Sequence, residues 1–133
     1  MAAMMEWNDS LKVGHGMIDR DHQRLVALIN QLGEAMSAGQ GKEACGAVLD
    51  ELIDYTRTHF ANEERLMAAH GYPDSAAHRA EHARLIEDVQ EFRIKYASGT
   101  ATLSVFLLRF LMEWLTHHIM QSDKKLAQAL PPG

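Results

Sequence analysis

The segment HRAEH (78–82) sets two histidines four residues apart with a glutamate between them. On a helix that spacing puts His78 and His82 on one face, where both imidazoles reach the same metal ion. The string also matches H-x-x-E-H, a zinc-peptidase pattern in which the glutamate activates water. Which chemistry applies depends on where further ligands lie. The chain has eight histidines and one cysteine, Cys45. A Cys-based zinc site cannot be built, so any metal rests on imidazole and carboxylate. His59 and Glu63 repeat the four-residue spacing, and His22 and His118 add one imidazole each.

Breaker clusters delimit the elements that must position these side chains: SAGQGK (37–42), HGYPDS (70–75), SGT (98–100) and LPPG (130–133). Between them the apolar residues recur at helical spacing. The first stripe is Ile18, Leu25, Leu28, Ile29, Leu32 and Met36, with Asp19 as the expected N-cap; the second is Val48, Leu52, Tyr55, Phe60 and Met67. The third is Leu85, Val89, Phe92 and Tyr96, capped by Asp74 or Ser75, and the fourth is Leu103, Phe106, Leu107, Phe110, Leu111, Trp114, Leu115 and Ile119. Short connections make consecutive helices antiparallel neighbours. The expected fold is all-α, an up-down-up-down antiparallel four-helix bundle over 18–129 behind an irregular N-terminal arm (1–17), in one domain of 133 residues.

Composition narrows the function. With 47% hydrophobic and 23% charged residues the balance is that of a globular domain. A net charge of −5 and a pI of about 5.9 give no footprint for nucleic acid or an anionic membrane. MAAMMEWNDSL lacks the basic and apolar regions of a secretory signal, and SVFLLRFLMEWL is interrupted by Arg109 and Glu113. The expectation is a cytoplasmic monomer. The Met4–Met5 pair reads as part of a terminus rather than as copper ligands, and Cys45 as a small packed residue.

The histidines fall on the apolar stripes. His22 lies between Ile18 and Leu25, His59 and Glu63 extend Leu52 and Tyr55, His78 and His82 lead into Leu85 and Val89, and His118 follows Leu111 and Trp114. Their heights agree too: early in the first and third helices, late in the second and fourth, which in an antiparallel bundle is one end. A lone core histidine is usually a satisfied packing residue. Five in one layer cannot satisfy one another's ring nitrogens, whereas a metal takes one nitrogen from each and leaves the other to donate outward.

Five imidazoles exceed the needs of one zinc, so two metals sharing bridging carboxylates are expected. Glu63 is one bridge and Asp123 the candidate for the second. Asp123 is five residues past His118, which on a regular α-helix leaves them about 140° apart. A local i→i+5 widening would bring them onto one face.

WNDSLKVGHGMIDRDHQRL (7–25), HFANEERLM (59–67), GYPDSAAHRAEH (71–82) and WLTHHIMQSD (114–123) together resemble the bacterial hemerythrins, a family of non-haem di-iron O2-binding proteins. The resemblance implies His78, His82 and His118 on one iron and His22 and His59 on the other. Glu63, Asp123 and a solvent-derived oxo or hydroxo group would bridge them. Three histidines and three bridges fill six positions on the first iron; the second keeps one open. In the family O2 binds there reversibly, taking electrons from both ferrous ions and the proton of the bridge. Phe60, Trp114, Leu115 and Ile119 match the family's apolar O2 pocket, and core packing is an equally ready reading of them.

The implied function is O2 storage, transport or delivery to a recipient the sequence does not name. NO or azide-like anions are alternative small ligands. The rival readings are a di-iron enzyme on the same site (peroxidase, oxidase or nitric oxide reduction), with such activity also conceivable as a side reaction, and a partner-dependent O2 or redox sensor. The peptidase reading fails because Glu81, at a bundle end, has no open cleft for a peptide; a surface or supporting role is expected. His15 in the arm, His70 in a loop and His117, about 100° from the face of its neighbour, are expected at the surface or outside the ligand layer.

Overall fold

The computed structural model describes residues 6–39, 41–100 and 105–131. Met4, Met5 and Leu103 lie outside the described residues, and so do the side chains of Phe106 and Ile119. After a 3₁₀ turn (Asp9–Leu11) come α1 (Gly16–Ser37), α2 (Lys42–His70) and α3 (Ser75–Ser98). The fourth rod begins as α4 (Val105–His117), passes through a π-helical turn (His118–Asp123) and ends as α5 (Lys124–Gln128). There is no strand among the described residues. α1 packs against α2 and α4, and α2 against α3, giving the expected all-α four-helix bundle. No helix among the described residues is long and apolar enough to cross a membrane.

Helix ends follow local chemistry, with some departures from expectation. Asp19 does not cap α1. The N-cap is His15, whose Nδ1 accepts from Ile18 N–H at 3.4 Å. Asp19 instead accepts from the Val13 and Gly14 N–H groups at 2.8 and 3.3 Å, pinning the arm to the helix. An Asp one turn inside the helix can reach back to these arm amides, which leaves the cap to the extended residue before it. His15 is thereby buried rather than at the surface. His70 is the last residue of α2 and not part of a loop, because the chain turns at Gly71, in the left-handed region with φ 60°. Asp74 stands at the α3 cap position without a capping bond and pairs with Lys125.

Two apolar clusters fill the bundle. The larger includes Leu25, Leu28, Ile29, Leu32, Leu49, Leu52, Leu85, Val89, Leu111 and Leu115. The smaller, at the end where α1 and α3 begin, joins Ile18, Met67, Tyr72, Leu126 and Leu130. Phe110, expected in the core stripe, is 40% exposed, since the seam of α4 runs through Leu108, Leu111 and Leu115. The ligand-type residues occupy the gap between the clusters. Ile18 precedes His22 by one turn and Leu25 follows it; Phe60 precedes Glu63 and Met67 follows it; Leu126 follows Asp123. The layer is therefore closed by hydrocarbon above and below.

Gly71 donates its N–H to Met67 O, and an added Cβ would meet nothing within 4 Å. Gly71→Ala should thus cost only the backbone term, about 1 kcal/mol. Thermal denaturation should show a small drop in Tm with the site intact; no drop would mean the turn tolerates side chains freely.

Candidate metal centre

His22, His59, His78, His82, His118, Glu63 and Asp123 are all buried in one layer. Each helix delivers its share: His22 from α1, His59 and Glu63 from α2, His78 and His82 from α3, His118 and Asp123 from the two ends of the π turn. The widened turn supplies what a regular helix could not, because Asp123 is wholly buried facing His118, with Oδ1 2.7 Å from His118 Nε2.

The seven side chains form two groups that share both carboxylates. Glu63, His78, His82, His118 and Asp123 offer ligand atoms within 4.8 Å of one another, and so do His22, His59, Glu63 and Asp123. The oxygens divide the same way. Glu63 Oε1 lies 3.2, 3.0 and 3.4 Å from the Nε2 atoms of His78, His82 and His118. Asp123 Oδ1 is 3.0 Å from His78 Nε2. On the other side Glu63 Oε2 is 3.2 Å from His59 Nε2, and Asp123 Oδ2 is 2.5 Å from His22 Nε2 and 3.5 Å from His59 Nε2. One oxygen of each carboxylate serves one histidine group.

Close as they are, several of these atoms make no hydrogen bond. His59 Nε2, His82 Nε2, Glu63 Oε2 and Asp123 Oδ1 are buried without a partner. Buried polar atoms are rarely left so. Imidazole nitrogens and carboxylate oxygens aimed at shared points fit divalent or trivalent cations, which would satisfy all four at once. The residues can hold metal, and the two groups suit two ions.

The outward nitrogens are held by carboxylates that sequence spacing did not identify as partners. His59 Nδ1 is 3.0 Å from Asp21, which also accepts from the Tyr55 hydroxyl at 3.0 Å and Asn62 Nδ2 at 3.2 Å. His82 Nδ1 is 3.2 Å from Glu64, itself paired with Arg79. His118 Nδ1 is 2.7 Å from Glu81. Each acid adjoins a ligand-type residue on its own helix and serves the histidine of the next helix. The adjacent pairs Asp21–His22, Glu63–Glu64 and Glu81–His82 were the available signal. His22 Nδ1 is buried with no acceptor.

Trp114 stacks on His118 with centroids 4.6 Å apart, and Phe60 on His82 at 3.8 Å. Trp114 and Leu115 line an apolar cavity of about 30 Å³ beneath the layer, while Phe60 lines a surface groove between α2 and α3. His70 and His117 are exposed and outside both groups. Glu81 meets the layer at the outward nitrogen of His118, and lines neither the cavity beneath the layer nor the groove between α2 and α3.

A family model described as the hemerythrin HHE cation binding domain matches residues 13–130. A bacteriohemerythrin of Stenotrophomonas maltophilia (strain R551-3) is 39% identical over 94% of this chain and 80% of its own length. One from Methylococcus capsulatus is 35% identical over 92% of this chain and 93% of its own. A solved wild-type hemerythrin, 34% identical, matches with a TM-score of 0.89 over 96% of this chain and 98% of that one.

Electrostatics in the metal-free protein show how the charges are balanced. Burial works against protonated His59 and His118, yet the neighbouring carboxylates hold both well above the ordinary histidine value. His78 is pushed against the same burial cost to about 9 by Asp123 and Glu63. Burial opposes ionisation of Glu63 and Asp123 too, but the surrounding histidines keep both well below the carboxylate range. The raised histidines contribute stability fully below the ordinary value of 6.5, and lose it as pH climbs, through about 9 for His78. The lowered carboxylates contribute above their ordinary values of 4.5 and 3.8 and lose it as pH falls. Metal-free protein should therefore be most stable between these ranges, with Tm falling from pH 6.5 to 9. Metal binding displaces the protons, so the loaded protein should not show that fall, and calorimetry in buffers of different ionisation enthalpy should register proton release. A metal-free Tm that rises over the same range would contradict this balance.

Proposed function

The chain belongs to the hemerythrin family, and on that premise we propose that it binds O2 reversibly at a pair of iron ions, for storage, transport or delivery. His78, His82 and His118 would hold one ion, His22 and His59 the other, with Glu63, Asp123 and a solvent-derived oxo or hydroxo group as bridges. The division of each carboxylate's oxygens between the two histidine groups is the observation that carries this reading. Three imidazoles against two would make the ions unequal, with the fewer protein donors, and so the room for a further ligand, on the His22–His59 side. Iron held there in its ferrous state would supply the electrons for reversible O2 uptake.

The chain's own residues make the site a place for a gas. Five neutral imidazoles and two carboxylates donate less negative charge than a carboxylate-rich di-iron site, which favours the ferrous state over higher-valent iron. The cavity of about 30 Å³ is lined by Leu25, Leu85, Trp114 and Leu115, each one turn from a ligand-type residue, and by Leu52, two turns from His59. Its polar lining side chain, Thr56, already donates its hydroxyl to Leu52 O at 2.7 Å. Water gains no partner in such a space, whereas a small apolar molecule fits. Trp114 and Leu115 thus support the pocket reading directly; Phe60 would act from the opposite side, through His82, and Ile119 is included on the family pattern.

The closed layer favours binding over turnover of a bulky organic substrate, and NO or azide-like anions are small enough to compete. The reading extends to a single domain acting as a cytoplasmic monomer, in keeping with a chain whose single cysteine, Cys45, is buried. Anaerobic reduction followed by O2 should produce a visible charge-transfer band that disappears when O2 is removed and returns over repeated cycles. Rapid irreversible oxidation, or sustained consumption of an added reductant, would favour the enzyme instead.

A further inference from the structure

Glu81 adjoins His82 on α3, and both its oxygens are engaged by the π turn. Oε1 lies 2.7 Å from His118 Nδ1, and Oε2 accepts from the Ser122 hydroxyl at 2.7 Å. His118 opens that turn and Ser122 is the residue before Asp123. We propose that Glu81 is a positioning residue that holds His118 in its Nδ1–H form and keeps the π turn in the register that delivers both His118 and Asp123 to the metal pair.

The tautomer matters because a neutral imidazole protonated on the inner Nε2 cannot ligate; an acceptor on Nδ1 removes that form. The register matters because a return to α-helical winding would carry Asp123 about 140° round from His118 and turn Ser122 with it. Gripping the turn at its start and again beside Asp123 opposes that rewinding. Asp21 and Glu64 also support histidines, but their further partners Tyr55, Asn62 and Arg79 lie on α2 and α3. Glu81 is half-buried, and the two bonds to His118 and Ser122 fix its carboxylate.

The inference rests on the metal-pair reading and is independent of O2. It is tested by anaerobic titration of metal-free wild-type, E81A, E81Q and S122A proteins with Fe(II), and by Mössbauer spectra of the same proteins loaded with ⁵⁷Fe. Circular dichroism melts of the metal-free forms establish folding. E81A should lose roughly 10- to 100-fold in apparent Fe(II) affinity, as removal of such partners generally does. E81Q keeps an acceptor for His118 and a donor for Ser122, so it should recover most of that loss; S122A should lose less than E81A. The Mössbauer signal of the iron held by His118 should shift more than that of the other, which feels the change only through the shared Asp123. Unchanged affinity in E81A, no recovery in E81Q, or equal shifts at both irons would overturn the proposal. Should E81A fail to fold, E81Q and S122A still decide it: S122A should lose affinity with unequal shifts at the two irons, E81Q should stay close to wild type, and the reverse order would overturn the proposal. Failure of wild-type protein to bind two Fe(II) would instead remove the metal pair itself.

Discussion

Glu63 and Asp123 have no exposed surface, and that one fact constrains the rest of the molecule. A buried carboxylate without compensation is among the most costly features a fold can contain. Here two of them lie together, so their charges also repel. Compensation comes from imidazoles, either protonated in the metal-free protein or ligating cations in the loaded one. In both states the positive charge must sit at the same points. The orphaned inner nitrogens and oxygens record that protons satisfy the geometry only in part.

The bundle is arranged around that layer. Four rods with alternating directions bring early positions of α1 and α3 to the same height as late positions of α2 and the fourth rod. The clusters around Leu28 and Leu126 close the layer on both sides, lowering the local dielectric and strengthening each charge contact inside. Around the circumference, Asp21, Glu64 and Glu81 fix the outward nitrogens of His59, His82 and His118. The series is incomplete at His22, whose outward nitrogen lacks an acceptor.

Much of this was legible in the sequence because two independent periodicities had to agree. Helical spacing put His22, His59, His82 and His118 on apolar seams, and breaker positions set their heights. Even the π turn could be read, since Asp123 lies five residues past His118 and a regular helix cannot align them. What spacing could not show was contact between helices. Glu81 read as a surface charge or a supporting residue; its partners, His118 and Ser122, lie far along the chain and could not be named from spacing. Asp19 has the chemistry of an N-cap, but the arm's amides claim it and His15 takes its place. Phe60 shares a stripe with Leu52 and Met67 yet stacks on His82 toward a surface groove. Phe110 fits the apolar period of α4 and still faces outward, because a stripe broad enough to wrap the helix does not say which edge is buried.

The central claim is that two ions lie between two unequal histidine groups and share Glu63 and Asp123. Anomalous diffraction at the iron edge, from crystals of protein purified without added metal, tests it most directly. The account predicts two peaks, roughly 3.5 Å apart as in other paired-metal sites, with His78, His82 and His118 around one and His22 and His59 around the other. A single peak, an absorption edge of another metal, or ions held away from these two carboxylates would contradict it.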